Sequence, residues 1–243
     1  MFIGHLALGM AAKKYAPQTS LGLLIAAPIF ADLLWPTLLL MGLEQVRIDP
    51  GNTRQTPLDF VSYPWSHSLL MLCVWGALLA GAVYLAGRRR LAAARRRDAL
   101  IVFALVVSHW VLDWVTHRSD MPLVPWGGPR LGLSLWNLPA VNAVLEAAMF
   151  MVGTVLYFRT TRPLDRTGRY ALISFIVFLA IVFVANLSAA APPSVAALMW
   201  VGQITWLLPL WAWWGDRHRT AAGASGSSLY PAHAYPIPPS SSH

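Results

Sequence analysis

The stretch DALIVFALVVSHWVLDWVTH, from Asp98 to His117, decides the fold class of this chain. It is apolar and about 20 residues long, which suits an α-helix that crosses a hydrocarbon core of roughly 30 Å. Its second half nevertheless carries three ionisable side chains, His109, Asp113 and His117. Because ionisable groups are costly inside a membrane, the stretch predicts a spanning helix that serves a polar site.

The rest of the chain contains further segments of the same kind. Its 243 residues are 57% hydrophobic and only 12% charged, whereas soluble domains average about 25% charged residues. We predict an all-α fold, a polytopic integral membrane helical bundle of about six spans with a short N-terminal helix over 1–15. The predicted spans are Ser20–Leu43, Ser66–Gly87, Asp98–His117, Pro139–Phe158, Tyr170–Ala190 and Val195–Trp214.

The net charge of +8 would suit nucleic acid, but its distribution indicates membrane topology instead. If the spans alternate, most basic residues fall on one side, including Lys13, Lys14 and the loops Arg88–Arg97 and Arg159–Arg169. An excess of lysine and arginine marks the cytoplasmic side. We therefore predict a multi-pass protein with a cytoplasmic C-terminus, in contact with membrane lipid and without a nucleic-acid partner.

The end of the chain differs in composition from the spans. Residues 1–214 are predicted to form a single transmembrane helical domain. From Thr220 to His243 the sequence is rich in alanine, glycine, serine and proline and lacks apolar periodicity. Such a composition buries too little apolar surface to order the chain. Residues 215–243 are therefore predicted to be a disordered cytoplasmic tail.

His109, Asp113 and His117 follow one another at intervals of four residues. Each such step advances only about 40° around an α-helix, so the three side chains lie on one stripe. Neutral imidazole and carboxylate together suit a divalent metal, zinc first and manganese as the alternative. The stripe therefore predicts a metal site.

Other ionisable residues border or enter the predicted spans. At a rise of about 1.5 Å per residue, Asp32, His109 and Glu146 lie at similar depths on three helices. His5 reaches that depth if the N-terminal helix folds back as a half-span, and His67 begins its helix at the outer surface. We expect one polar cavity that opens outward. Its predicted metal ligands are His5, Asp32, His67, His109, Asp113 and His117.

Three side chains are candidates for catalysis at such a site. Glu146 or Asp32 would act as a general base. Arg118 directly follows the stripe and would stabilise developing negative charge. For Glu146, His5 and His67, a hydrogen bond to a neighbouring helix is the alternative role.

Four short motifs occur in order along the chain. They are Gly4-His5-Leu6, Ala31-Asp32, Ser66-His67-Ser68 and His109-x3-Asp113-x3-His117. Together they resemble the membrane-bound, metal-dependent hydrolase-like proteins of bacterial inner membranes, the YdjM/YbcI-like family, over roughly residues 1–120. The resemblance implies a bacterial inner-membrane location and metal-dependent hydrolysis.

The chain departs from that family's pattern in two places. The usual Pro-Asp-x-Asp is reduced to Ala31-Asp32-Leu33-Leu34, and Ser62-Tyr63-Pro64-Trp65 replaces the usual His-Arg. One carboxylate and one histidine are therefore missing, which leaves the number of metal ions open at one or two.

A more distant similarity is to zinc-dependent phospholipase C and related nucleases. Their ligand order is similar to His5, Asp32, His67 and His109-x3-Asp113. Asn142-x3-Glu146 stands where those enzymes have His-x3-Glu. The similarity implies phosphoester chemistry.

Three functions remain open on the sequence. The first is a membrane-embedded metal-dependent hydrolase of a small molecule or, as favoured here, of a lipid or lipid-linked phosphoester. The second is a transporter or proton/metal conduit that uses the same histidines and aspartates, although no internal repeat is evident. The third is a non-catalytic scaffold with a structural metal, in which protein fills every coordination position.

Overall fold

The computed structural model describes residues 1–188 and 190–222. The chain begins with a short apolar helix, α1 (Ile3–Ala12), which turns back through residues 13–20 into α2 (Leu21–Ala26) and α3 (Phe30–Leu40). Ser20 begins α2, because its side chain accepts a hydrogen bond from the Leu23 backbone N–H. At 10 residues, α1 is too short to cross a bilayer.

The prediction of one continuous span over Ser20–Leu43 was wrong. The helix is interrupted between Ala26 and Phe30, so that α2 and α3 are separate short helices. Pro28 lies in the interruption, and a proline has no backbone N–H with which to continue the helical hydrogen bonds. Irregular backbone at membrane depth is tolerated where it is buried in protein or lines a polar site.

Helices and short hairpins then alternate along the chain. In order they are β1 (Gln45–Ile48), β2 (Leu58–Ser62), α4 (Pro64–His67), α5 (Leu69–Ala86), α6 (Ala92–Thr116), β3 (Met121–Val124) and β4 (Gly127–Leu131). Strands β1 and β2 form one antiparallel hairpin, and β3 and β4 form another. The two hairpins lie at the same end of the bundle, because Arg130 donates to the Val61 carbonyl and Arg118 to Asp59.

The second half of the chain completes the bundle. Its elements are a 3₁₀ turn at Leu135–Asn137, α7 (Pro139–Thr160), β5 (Thr161–Pro163), α8 (Arg166–Asn186), α9 (Val195–Ile204), α10 (Leu207–Arg217) and β6 (Arg219–Ala221). Strand β6 pairs antiparallel with β5. Ordered structure thus extends past the boundary predicted at Trp214. Residues 223–243 of the predicted tail lie outside the described residues.

The predicted class, a helical membrane bundle, is confirmed. Within the described residues, five helical segments are long and apolar enough to cross a membrane: α5, α6, α7, α8 and Val195–Arg217, which combines α9 with α10. Many of their apolar side chains face outward, among them Leu78, Met151 and Ile181. These surfaces are suited to contact with lipid.

Close packing by glycines holds α1 inside the bundle. A Cβ atom at Gly9 would overlap the Leu24 backbone, and one at Gly153 would overlap the Ala7 backbone. Small residues at helix contacts let backbones approach closely in membrane proteins. The result is that His5, on α1, is completely buried beside α6.

Candidate metal centre

Five of the predicted ligands converge in the bundle interior. His5 comes from α1, Asp32 from α3, His67 from α4, and His109 and Asp113 from α6. Their donor atoms form two groups, one of His5, His109 and Asp113 and one of Asp32, His67 and His109. Because His109 belongs to both, we treat the five side chains as one set, the His/Asp cluster. These groups could hold a metal ion.

The separations between donor atoms in the His/Asp cluster fit shared coordination. Ligands bound to zinc at about 2.0–2.2 Å lie roughly 3.3–3.5 Å apart in a tetrahedron. His109 Nε2 lies 3.0 Å from Asp113 Oδ2 and 3.9 Å from Asp32 Oδ1. His67 Nε2 lies 3.5 Å from Asp32 Oδ1, and His5 Nε2 lies 3.0 Å from Asp113 Oδ1. The distances bracket the tetrahedral value.

One member of the cluster is accessible. The Asp32 side chain is 39% exposed, whereas those of His5, His67, His109 and Asp113 are at most 4% exposed. Solvent or a ligand can therefore reach the cluster at Asp32.

His109 presents a free nitrogen to the carboxylates. Its Nδ1 lies 2.8 Å from the carbonyl oxygen of Pro28, which can only accept a hydrogen bond. Nδ1 therefore carries a proton, and in the neutral ring Nε2 carries the lone pair. That Nε2 is buried and has no hydrogen-bond partner among the described residues. Either a metal ion or a proton on Nε2 between this nitrogen and the carboxylates would complete the arrangement, and the Pro28 carbonyl fixes the ring orientation, as outer partners of metal ligands do.

His67 is oriented by a chain of two further side chains. Glu44 is buried and accepts hydrogen bonds from the backbone N–H and the hydroxyl of Ser66. Because the hydroxyl proton points to Glu44, the Ser66 oxygen accepts from His67 Nδ1, which lies 2.6 Å away. The Nε2 lone pair of His67 is thereby turned toward Asp32.

His117 has the same arrangement at the edge of the cluster. Its Nδ1 lies 3.0 Å from Asp120 Oδ1, and its Nε2 lies 3.6 Å from Asp113 Oδ2. The Tyr63 hydroxyl also donates to Asp120, and burial together with this carboxylate raises the pKa of Tyr63 well above its ordinary value. Tyr63 therefore stays protonated and holds Asp120 in place.

His5 is held differently from the other histidines. Its ring stacks on that of His109, with centroids 4.1 Å apart, and its Nδ1 has no partner among the described residues. Asp113 Oδ1 contacts both His5 Nε2 and the Met1 amino nitrogen, the latter at 2.8 Å. Asp113 is thus the most heavily contacted carboxylate of the cluster.

Glu146 lies near this set but serves another purpose. One of its oxygens accepts hydrogen bonds from the backbone N–H groups of Phe2 and Gly4, and the other accepts from Asn142. The first N–H groups of a helix have no partners within it, and the helix dipole favours a negative charge there. The structure therefore places Glu146 as a cap on α1, and we do not assign it the predicted role of general base.

Arg118 is also not positioned to stabilise developing negative charge, the role predicted for it. Its guanidinium donates to Asp59 and, at 3.2 Å, to Asp120. A guanidinium already engaged by two carboxylates is poorly available to an anionic transition state. Its position instead steadies Asp120, which orients His117.

Sequence reasoning missed the residues that orient the histidines. Asp120 lies three residues after His117, a spacing visible in the sequence. Glu44 lies 23 positions before His67, and only the fold of the β1–β2 hairpin brings it to Ser66. The Pro28 carbonyl becomes available only through the interruption between α2 and α3.

Comparison with known proteins gives one finding about the family. A family model described as YdjM inner membrane protein matches residues 1–193. No curated protein and no solved structure matches the chain significantly. With the apolar spans, the match supports a multi-pass location in the inner membrane, in contact with lipid. The predicted similarity to zinc-dependent phospholipase C and to metal-dependent hydrolases finds no support in these comparisons.

Proposed function

We propose that this chain, which belongs to the YdjM inner membrane protein family, is a metal-dependent hydrolase of a lipid or lipid-linked phosphoester. One observation carries the proposal. His67, His109 and His117 each have Nδ1 committed to an acceptor and Nε2 turned toward the carboxylates of Asp32 and Asp113. Imidazoles oriented in this way, around two carboxylates, are typical of a divalent metal site.

The shared histidine favours a single ion. A neutral imidazole has one free lone pair, so His109 Nε2 coordinates one metal. Both donor groups of the cluster include His109, and only its Nε2 faces Asp113 and Asp32. We therefore propose one divalent ion, zinc or manganese, bound by His5, His109 and Asp113. His67, which shares the second donor group with His109, lies next to these ligands.

Asp32 is the residue to which we assign proton transfer. An ion at this site would supply positive charge and would lower the pKa of a bound water toward neutrality. As the exposed member of the cluster, Asp32 can meet a substrate and a water together. Its carboxylate would take the proton of the attacking water. Attack of the water oxygen at phosphorus forms a new P–O bond and breaks the ester P–O bond, and the leaving alkoxide would take the proton back from Asp32.

Hydrolysis and its dependence on Asp32 test the proposal. Metal-loaded protein in mixed micelles should release phosphate or p-nitrophenol from phosphatidic acid, p-nitrophenyl phosphate or bis(p-nitrophenyl) phosphate. Asp32→Asn should keep the metal yet lose at least about 100-fold in rate, because it cannot accept the proton. Asp49→Asn, an exposed residue of the hairpin loop, is the matched control. If wild type holds metal but is no faster than Asp113→Asn on all three substrates, the metal is structural and the hydrolase proposal is wrong.

A transporter is the second candidate, and one observation favours it. Within the described residues, two helices are interrupted, α2–α3 and α9–α10, and they pack against each other, α10 on α2 and α9 on α3. Paired interrupted helices often mark transport sites. The His/Asp cluster adjoins only the first interruption, which is why hydrolysis is preferred. Metal uptake into sealed vesicles by wild type but not by His109→Ala would favour transport.

Ser66→Ala should weaken metal binding without removing a ligand. The substitution leaves the Nδ1 proton of His67 without its acceptor, and the loss of such outer partners typically lowers metal affinity about 10- to 100-fold. The measurement is a competitive metal titration in detergent. Ser68→Ala is the matched control, because Ser68 only caps α5. It should reduce stability by about 1 kcal/mol and leave the affinity unchanged. Equal affinities for Ser66→Ala and wild type would contradict the proposed relay.

A further inference from the structure

A cavity of about 310 Å³ opens beside the His/Asp cluster. None of the five cluster residues lines the cavity, but its wall includes Met1, whose amino group contacts Asp113, and Trp136, whose ring packs on His117 with centroids 4.1 Å apart. Its volume is at the lower end of the range for ligand pockets. The cavity adjoins the site but is not part of the donor set.

The lining of this cavity is mostly apolar. Phe2, Leu58, Trp136, Pro192 and Leu198 contribute its walls. They come from the start of α1, the β1–β2 hairpin, the 3₁₀ turn, the segment before α9, and α9 itself. An apolar slot between helices of a membrane bundle suits one hydrocarbon chain, which would enter from the surrounding lipid.

Polar groups lie at one part of the same cavity. Gln55 and Glu146 line it, and Asn142 donates to both, at 3.0 Å each. Asn142 is itself fully buried and does not line the cavity. Gln55 and Glu146 do line it, and their side-chain oxygens can accept a hydrogen bond from a hydroxyl group on a ligand.

Together these features define a ligand with two ends. We infer that the cavity binds the hydrocarbon chain of a membrane amphiphile whose polar head carries a hydroxyl group, with the head held beside the His/Asp cluster. This inference rests on the proposed function, because it takes the amphiphile to be the substrate. It narrows the substrate class to lipid phosphoesters that place one hydrocarbon chain in the cavity and carry a hydroxyl group on the head.

Photolabelling tests the inference without requiring turnover. The protein is placed in phosphatidylcholine nanodiscs with a lysophosphatidic acid that carries a diazirine in its acyl chain, and labelled peptides are mapped by mass spectrometry. Label should appear on the peptides that contain Leu58, Trp136 and Leu198. Leu198→Trp, which fills the cavity, should lose most of this label, and Leu78→Trp, on the outward face of α5, should retain it.

Competition and a metal-free variant separate this inference from the proposed function. Excess unlabelled lysophosphatidic acid should suppress the labelling, whereas glycerol 3-phosphate, which lacks the chain, should not. In His109→Ala, chain labelling should persist although metal is lost. Label confined to outward-facing surfaces, or equal suppression by glycerol 3-phosphate, would overturn the inference even if the enzyme hydrolyses phosphoesters. Labelling of the cavity in a protein that hydrolyses none of the phosphoesters would instead support the lipid-binding site and contradict the proposed hydrolase activity.

Discussion

His109→Ala and Asp113→Asn are each expected to lower the metal content of the purified protein by more than about tenfold. Wild type should hold about one equivalent, because His109 is common to both donor groups and only its Nε2 faces Asp113 and Asp32. His109→Ala removes that shared donor. Asp113→Asn replaces a carboxylate that faces four nitrogen groups with a neutral amide. The measurement is mass spectrometry of metals on detergent-purified protein from metal-replete growth, without chelators.

Two matched controls make this result specific. His218→Ala removes a half-exposed histidine that pairs only with Asp165, and Asp49→Asn removes an exposed carboxylate in the hairpin loop. Both should retain the wild-type metal content. If wild type stays metal-free even after titration with zinc or manganese, no metal centre exists and the buried lone pair of His109 must be satisfied by a proton.

Much of the bundle was predictable, because hydrophobic length alone identifies a spanning helix. The segments from Ser66 onward correspond to helices within six residues of the predicted bounds, the largest difference being the start of α6 at Ala92 rather than Asp98. The prediction of a continuous first span was wrong for a local reason. Pro28 interrupts it, and hydropathy does not register the loss of a single backbone donor. The extension past Trp214 was missed because polar residues there are ordered by contacts with α7 and the start of α2.

The residues of the candidate site likewise fall into those that the sequence could predict and those that only the tertiary structure shows. Helical periodicity placed His109 and Asp113 on one face, and depth arguments brought Asp32 and His5 near them. Neither argument could show that Glu146 faces the start of α1. An acid in a span indicates that something polar is nearby, but only tertiary structure distinguishes a metal ion from the N–H groups of a helix.

A second network of buried charged groups is centred on Asp216, and none of its hydrogen bonds involves a residue of the His/Asp cluster. Its Oδ2 accepts hydrogen bonds from Lys13 Nζ at 2.6 Å and from the Leu21 backbone N–H at 2.9 Å. Its Oδ1 accepts from the Tyr157 hydroxyl, while Lys13 also donates to the Thr19 carbonyl. This one carboxylate therefore ties together the turn after α1, the start of α2, and helices α7 and α10.

Asp216→Asn is expected to destabilise the protein by about 3–5 kcal/mol. The Lys13 side chain is only 6% exposed, so the substitution leaves a buried ammonium without its counter-charge, and that is the cost typical of a broken buried pair. For a chain of this size, the loss corresponds to a fall in Tm of roughly 6–20 °C. Thermal unfolding in detergent, followed by circular dichroism, measures it.

Substitution of Lys13 as well as Asp216 shows whether the unpaired charge causes the loss of stability. Lys13→Met combined with Asp216→Asn removes both charges, so it should recover part of the stability lost in Asp216→Asn alone, because no buried ion is left unpaired. Asp49→Asn should leave the Tm unchanged. Metal content at low temperature should be normal in Asp216→Asn, since the network shares no contact with the His/Asp cluster. A Tm within about 2 °C of wild type would mean that water reaches Lys13, and that the packing of α1 rather than this ion pair holds the turn in place.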